Sequence, residues 1–363
     1  MTTPDVTLDP QRPSRVLSEH IGAPYQACAI VYNAILTGIL LSVAMRRGAE
    51  AAGEVMFKAY RAHHLDKFLS SFDKLGLTDK PHAVACAQYH NLANSVGGVR
   101  VEFMPESDTK AWVRFPHPRW VYQGPAICGI PLDVSRAMLR GWFAHNGVSL
   151  NNPRLGFVCT GEDVDGQSGL AGYFREFDVP LSSDERLQFS PGERPPPFDP
   201  ALAPMLDTTI WPSERLEKAN RNYAMAPVRQ LLPKMAEVFG QDDATYLGRS
   251  AAKLIGLQYY ETVASLLGVG GTSLEDFGAF FVGFATGQGD EATFHVENNT
   301  LHIEQTGWRL VRGLDAIPEN VFETWNGFWE GALLSHNHDF SLQVMARQDW
   351  GDSVHRWLVR PRS

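Results

Sequence analysis

The sequence predicts an α+β protein made of two tandem pseudo-repeats, each with helices packed on an antiparallel four-stranded sheet. Three observations carry this expectation. A block of strand, turn, strand, helix, strand, turn, strand covers residues 99–180, and the same order returns over residues 292–361. Each block follows three helical patterns, the third ending at Gly97-Gly98 in one copy and at Gly287-Gln288-Gly289 in the other. Between the copies lies a run bearing Pro191, Pro195, Pro196, Pro197, Pro200, Pro204 and Pro212. Residues locked in φ and lacking an amide hydrogen exclude a helix or central strand, so this run reads as an extended, semi-rigid linker. The resulting division is an N-terminal arm over 1–22, a first α+β domain over 23–186, the linker over 187–212 and a second α+β domain over 213–363. A chain of 363 residues exceeds what one core usually holds, which also favours two domains.

In chain order, Pro24 suits the first turn of a helix that runs through the apolar stretch CAIVYNAILTGILLSVAM, residues 28–45. That stretch has the length of a short membrane span. Asn33, Thr37 and Ser42 interrupt it, and its counterpart at residues 222–239 contains Arg229 and Lys234, so a buried helix packed on the sheet is expected. Apolar residues at helical spacing predict a second helix over 48–77 and a third over 82–95. VRVEF (99–103) and KAWVRF (110–115) read as a hairpin, PLDVSRAMLRGWFAHNG (131–147) as a helix, and RLGFVCT (154–160) with YFREFDVP (173–180) as a second hairpin. In the second copy, helices are expected over 213–240, 242–267 and 274–286. A hairpin over 292–311 turning at Asn298-Asn299, a helix over 318–333 and a closing hairpin over 339–361 follow. Gly141-Trp142-Phe143 matches Gly327-Phe328-Trp329, and Phe174–Phe177 has an echo in His355–Leu358.

A net charge of −9 without a Lys/Arg cluster argues against a nucleic-acid surface. Cys28, Cys86, Cys128 and Cys159 stand far apart with no Cys-x-x-Cys pair, which fits a reduced, cytoplasmic protein better than a zinc knuckle. No apolar segment follows a basic start in MTTPDVTLDPQRPSR, so neither a secretory signal nor a membrane partner is expected.

The helix–ββ–α–ββ order, the RRGAEAA helix (46–52) and the LGFVCT strand (155–160) resemble the L-2-amino-thiazoline-4-carboxylic acid hydrolase family and the vinyl-reductase-type small-molecule-binding domains. The resemblance covers residues 29–178 and extends to the second half by element order. It implies an enclosed pocket between helices and sheet for a small aromatic or heterocyclic ligand. Some such domains hold zinc through cysteines of the last hairpin. This chain keeps only Cys159 there, so no metal and no cofactor is expected.

His90 lies one turn before the third helix ends, and counting back from the glycines places Phe281 at the matching position of the second copy. A group titrating near neutrality there suits a general base, while a hydrogen-bonded helix histidine is the plainer reading. The loop RFPHPRWVYQGP (114–125) places His117, a second catalytic candidate, beside Arg119, Trp120 and Tyr122. Arg119 suits a carboxylate and the aromatics suit a ring, although a loop packed on the sheet would look the same. Trp142 and His145, three apart on a helix, share a face and join the substrate-binding candidates, with core packing and a helix-end charge as alternatives. His63-His64 cannot both reach one metal from a helix. His336, His338 and Asp339 could converge on one. Cys128, before a helix start, is the best-placed thiol for reactivity, or else a small hydrophobe.

These features predict a small-molecule enzyme, a cofactor-independent hydrolase or lyase opening a C–N, C–S or C–O bond of a small heterocyclic or aromatic compound in the first domain. His90 would act as base. A non-catalytic binding or sensory protein is the alternative, and a homodimer is compatible with either.

Overall fold

The computed structural model describes residues 22–117, 122 and 124–362. The arm up to residue 21, and with it Arg119 and Trp120 of the expected recognition loop, lie outside the described residues.

The chain mixes helices with two largely antiparallel sheets, an α+β class. The first half begins with α1 (Ala23–Arg47), which has proline in its first turn as expected, and α2 (Ala49–Lys67). The helix expected over 48–77 breaks after Lys67 into a 3₁₀ turn and the short α3 (Phe72–Leu75). The hydroxyls of Ser70 and Ser71 bond back to the carbonyls of residues 66 and 67, offering the backbone an alternative to the next helical turn. α4 (His82–Val96) leads through Gly97-Gly98 into β1 (Glu102–Ser107) and β2 (Lys110–Pro116). The helix expected over 131–147 ends early, as α5 (Leu132–Gly141), followed by a 3₁₀ turn at Phe143–His145 and α6 (Asn146–Ser149). Its ending has a distant cause: the Arg61 guanidinium takes the carbonyls of Gly141 (2.9 Å) and Arg140 (3.1 Å). Strands β3 (Leu155–Gly161) and β4 (Gly169–Glu176) complete the expected set.

One strand was not expected. β5 (Leu187–Phe189) pairs in parallel with β3 and gives the first sheet the order β1-β2-β4-β3-β5, so it has five strands rather than four. The segment belongs to the stretch read as linker, but it precedes the first of its prolines and keeps its amide hydrogens. Further along the same stretch, Phe198 packs on Met104, Trp112, Val158 and Tyr173, covering the sheet's outer face.

The second half has α7 (Ser213–Phe239), α8 (Gln241–Leu266), α9 (Leu274–Gln288), β6 (Glu291–Glu297), β7 (Thr300–Thr306), α10 (Glu319–His336), β8 (Phe340–Ala346) and β9 (His355–Pro361). Its sheet runs β6-β7-β9-β8, the order that β1-β2-β4-β3 follows in the first. β7 ends before Trp308 because Gly307 turns at φ +81 and Asp290 accepts the Arg309 amide at 2.8 Å. In both halves a glycine brings the helix between the hairpins against the half's second helix. A Cβ on Gly141 would lie 2.9 Å from the Phe57 carbonyl of α2, and one on Gly327 would lie 2.7 Å from the Arg249 carbonyl of α8.

The two halves share one continuous apolar core. α1 is buried along most of its length, as expected, but against α2, α7, α8 and α9 rather than against a sheet. α1 is the one helix among the described residues long and apolar enough to cross a membrane, and 67% of its apolar window is buried within the protein. Tyr32 donates to Gln288 Oε1 at 2.7 Å and Cys28 Sγ to the Phe284 carbonyl at 3.4 Å, fastening the first half to the second. In return, α7 packs against α1, α2 and α4. The buried side chains of the two halves thus meet along α1 and α7.

Candidate functional site

The packing of α7 across the first half leaves a cavity of about 440 Å³ between α2, α4, α5, the inner face of the first sheet and α7. Gly97 makes this arrangement possible, since a Cβ there would stand 2.5 Å from the ring of Tyr223 on α7. The Tyr223 hydroxyl donates to Asn94 Oδ1 at 2.5 Å, and Asn94 Nδ2 donates to the His90 carbonyl at 2.6 Å, tying α7 to the end of α4.

The cavity floor is aromatic and aliphatic, formed by Tyr89, His90, Phe115, Met138, Trp142, Phe143 and Leu170. Its described lining contains no aspartate, glutamate or cysteine. The mouth is cationic, with Lys67, Lys74, Arg215 and Lys218 at its edge. Lys67 is paired with Asp66 (3.0 Å) and Lys218 with Glu214 (2.6 Å), while Arg215 lies over Trp211 at 4.3 Å and donates to the Ile210 carbonyl. Lys74 has no ion-pair partner among the described residues.

Three buried nitrogens of the wall have no hydrogen-bond partner among the described residues: His90 Nε2, His63 Nδ1 and Trp142 Nε1. His90 and Trp142 are only 3% and 8% exposed, and leaving such a group unpaired costs about 1–3 kcal/mol. The His90 ring lies nearly parallel to those of Phe143 (4.0 Å, 10°) and Phe174 (5.4 Å, 8°). Burial pushes its pKa down from 6.5 to about 3, so the expected switch near neutrality does not occur and the imidazole is neutral at pH 7. His63 is pushed down to about 3, first by burial and then by the Lys67 charge.

Of the residues singled out from the sequence, His63, His90 and Trp142 meet at this cavity. His117, Tyr122 and His145 do not join them. His117 is exposed on its loop, with Nε2 3.2 Å from the Gln167 carbonyl, and Tyr122 is buried at 2% exposure, neither lining the cavity. His145 lies with its ring 5.2 Å from that of His64, outside the lining. Burial holds His145 down at about 4. Cys128 is exposed, unlike the other cysteines, so the small-hydrophobe reading does not hold for it.

The His336/His338/Asp339 group does not converge. His336 is buried, with Nε2 2.8 Å from the Ser273 carbonyl and Nδ1 2.5 Å from the Tyr260 hydroxyl. A carbonyl only accepts, so Nε2 carries the proton and Nδ1 accepts from Tyr260, which leaves no lone pair for a metal. The sequence reading missed the mouth. Trp211 Nε1 donates to the Lys74 carbonyl across 137 positions of chain, a proximity that no local spacing signals.

The position matched to His90 in the second half holds Phe281, stacked on Trp329 (3.9 Å) and near Trp357 (5.0 Å). The strand ring facing it is thus Trp357, not His355, two residues beyond the sequence echo. The chain matches no family model and no curated protein.

Proposed function

We propose that the protein binds a small amphipathic anion, an aromatic or alicyclic body bearing a carboxylate, in the cavity under α7, and holds it without chemical change. The carrying observation is the wall itself: an apolar floor with unpartnered His90, His63 and Trp142 nitrogens beneath a cationic mouth. The volume suits a compact ligand of drug size or below. A neutral imidazole and an indole N–H can fix polar atoms of the ring portion, while Lys74 and Arg215 meet the charge. Support against chemistry comes from the described lining, which sets no carboxylate beside His90, and from a pKa too low for an efficient base at neutral pH.

The test is isothermal titration with a series of aromatic acids and their neutral primary amides. Acids should bind and amides should bind more weakly. Lys74→Glu with Arg215→Glu should cost the acids about ten- to a hundredfold in affinity, the worth of a charged hydrogen bond, and leave the amides unchanged. Equal loss for acids and amides would refute the charge assignment, and no binding across the series would refute the reading.

A second reading, a hydrolase or lyase with His90 as base, is supported by the free His90 Nε2 and by the resemblance in element order to the aminothiazoline-carboxylate hydrolase family. In that case His90→Gln keeps affinity and lowers turnover by about two to four orders of magnitude. The repeated strand order, the paired glycines 141 and 327 and the matched ring stacks support a further proposal, that the chain is a tandem pseudo-repeat in which only the first copy kept a polar group at this position.

A further inference from the structure

The outer face of the second sheet bears a group of side chains that neither the fold nor the cavity uses. Asn298 and Asn299 both take left-handed backbone (φ 49 and 57), the two-residue hairpin turn whose twist suits paired strands. That turn sets the register Glu297↔Thr300, Val296↔Leu301, His295↔His302. Alternation along the strands then sends Phe294, Val296, Leu301 and Ile303 to the core and His295, Glu297 and His302 outward. The two imidazoles face each other directly across the pair, parallel to within 4°, with centroids 4.7 Å apart. The ligand atoms of His295, Glu297 and His302 all lie within 4.8 Å of one another.

We propose that His295, His302 and Glu297 form a site for a borderline divalent cation of the Zn²⁺, Ni²⁺ or Cu²⁺ class. Two imidazole nitrogens and one carboxylate oxygen are the donors these ions favour, and the open sheet face leaves the remaining positions to water. On the adjacent strand, Arg356 is held by Glu304 at 2.7 Å and Arg360 donates to Gln343 Oε1 at 3.1 Å. The corresponding face of the first sheet shows that the fold does not require these residues. There the outward side chains are Met104, Trp112, Val158 and Tyr173, sealed by Phe198. The site is remote in sequence and sheet from the cavity, so it stands or falls independently of the proposed ligand.

The experiment is calorimetric titration of the tag-free, chelator-treated full chain with ZnCl₂ and, separately, NiCl₂ near neutral pH. One ion per chain should bind. His295→Ala and His302→Ala should each weaken binding at least ten- to a hundredfold, the loss that even an outer partner of a metal ligand causes, and Glu297→Gln by a smaller factor. Acidification should weaken binding, because the imidazoles must be unprotonated to ligate. Circular dichroism of these surface variants should match the parent. His338→Ala, which removes another exposed histidine, should change nothing. The proposal is overturned if no saturable binding appears below about 1 mM metal, or if the His295→Ala/His302→Ala double variant binds as the parent does.

Discussion

Gly331→Val will lower the free energy of unfolding by about 3 kcal/mol, the upper end for overpacking a core, or abolish soluble protein. α8 and α10 meet backbone to backbone. A Cβ at Gly331 would lie 2.8 Å from the Lys253 carbonyl carbon and 3.0 Å from the Leu257 amide nitrogen, and closer still to the Lys253 carbonyl oxygen. On the facing helix, a Cβ at Gly256 would lie 2.7 Å from the Ala332 amide. No rotamer relieves a clash with backbone, so the helices must separate and uncover Trp325, Phe328 and Trp329. Urea denaturation monitored by tryptophan fluorescence measures the loss. A change below about 1 kcal/mol would show that the helices are free to slide.

The second large effect is acid sensitivity with a defined histidine origin. His90 and His64 are both buried, and burial pushes their pKa values from 6.5 to about 3 and about 2, with the nearby His145 and His90 adding to the effect on His64. Above pH 6.5 neither state of the protein binds the proton and these groups leave stability unchanged. Below 6.5 the unfolded chain takes it up and the folded chain does not. Unfolding is therefore favoured increasingly as pH falls, until the folded-state values are reached near 3 and 2. Each group contributes a slope of up to about 1.4 kcal/mol per pH unit. His90→Phe, which copies the ring that Phe281 supplies in the second half, should remove one of these contributions and make the variant about 1–2 kcal/mol more stable than the parent at pH 5. Parallel stability–pH curves for the two proteins would place the acid sensitivity elsewhere.

How far the sequence revealed this molecule depends on whether each signal is local. The helices, the hairpins and their order were legible because periodicity and turn residues act over a few positions, and Asn298-Asn299 fixed a hairpin in the expected place. His90 was found because glycines mark the end of α4. Where a distant partner decides, spacing misled. Arg61 caps α5 through the Gly141 carbonyl, where spacing alone carried the helix on to residue 147. Within the stretch read as linker, Leu187–Phe189 precedes the prolines, and its free amides let the chain add a strand. The cavity could not be read at all as a unit, since its mouth joins Lys74 of one half to Arg215 and Lys218 of the other.

The burial of α1 by the second half also governs how the protein is made. Cys28 and Tyr32 contact Phe284 and Gln288, partners 256 positions later. At translation rates of 5–20 residues per second, those partners emerge roughly 10–50 s after α1 does. During that interval the long apolar α1 has part of its surface uncovered, and contacts closing so long a loop form slowly once they can form. The yield of folded protein thus depends on α1 staying free of wrong apolar contacts until α9 arrives.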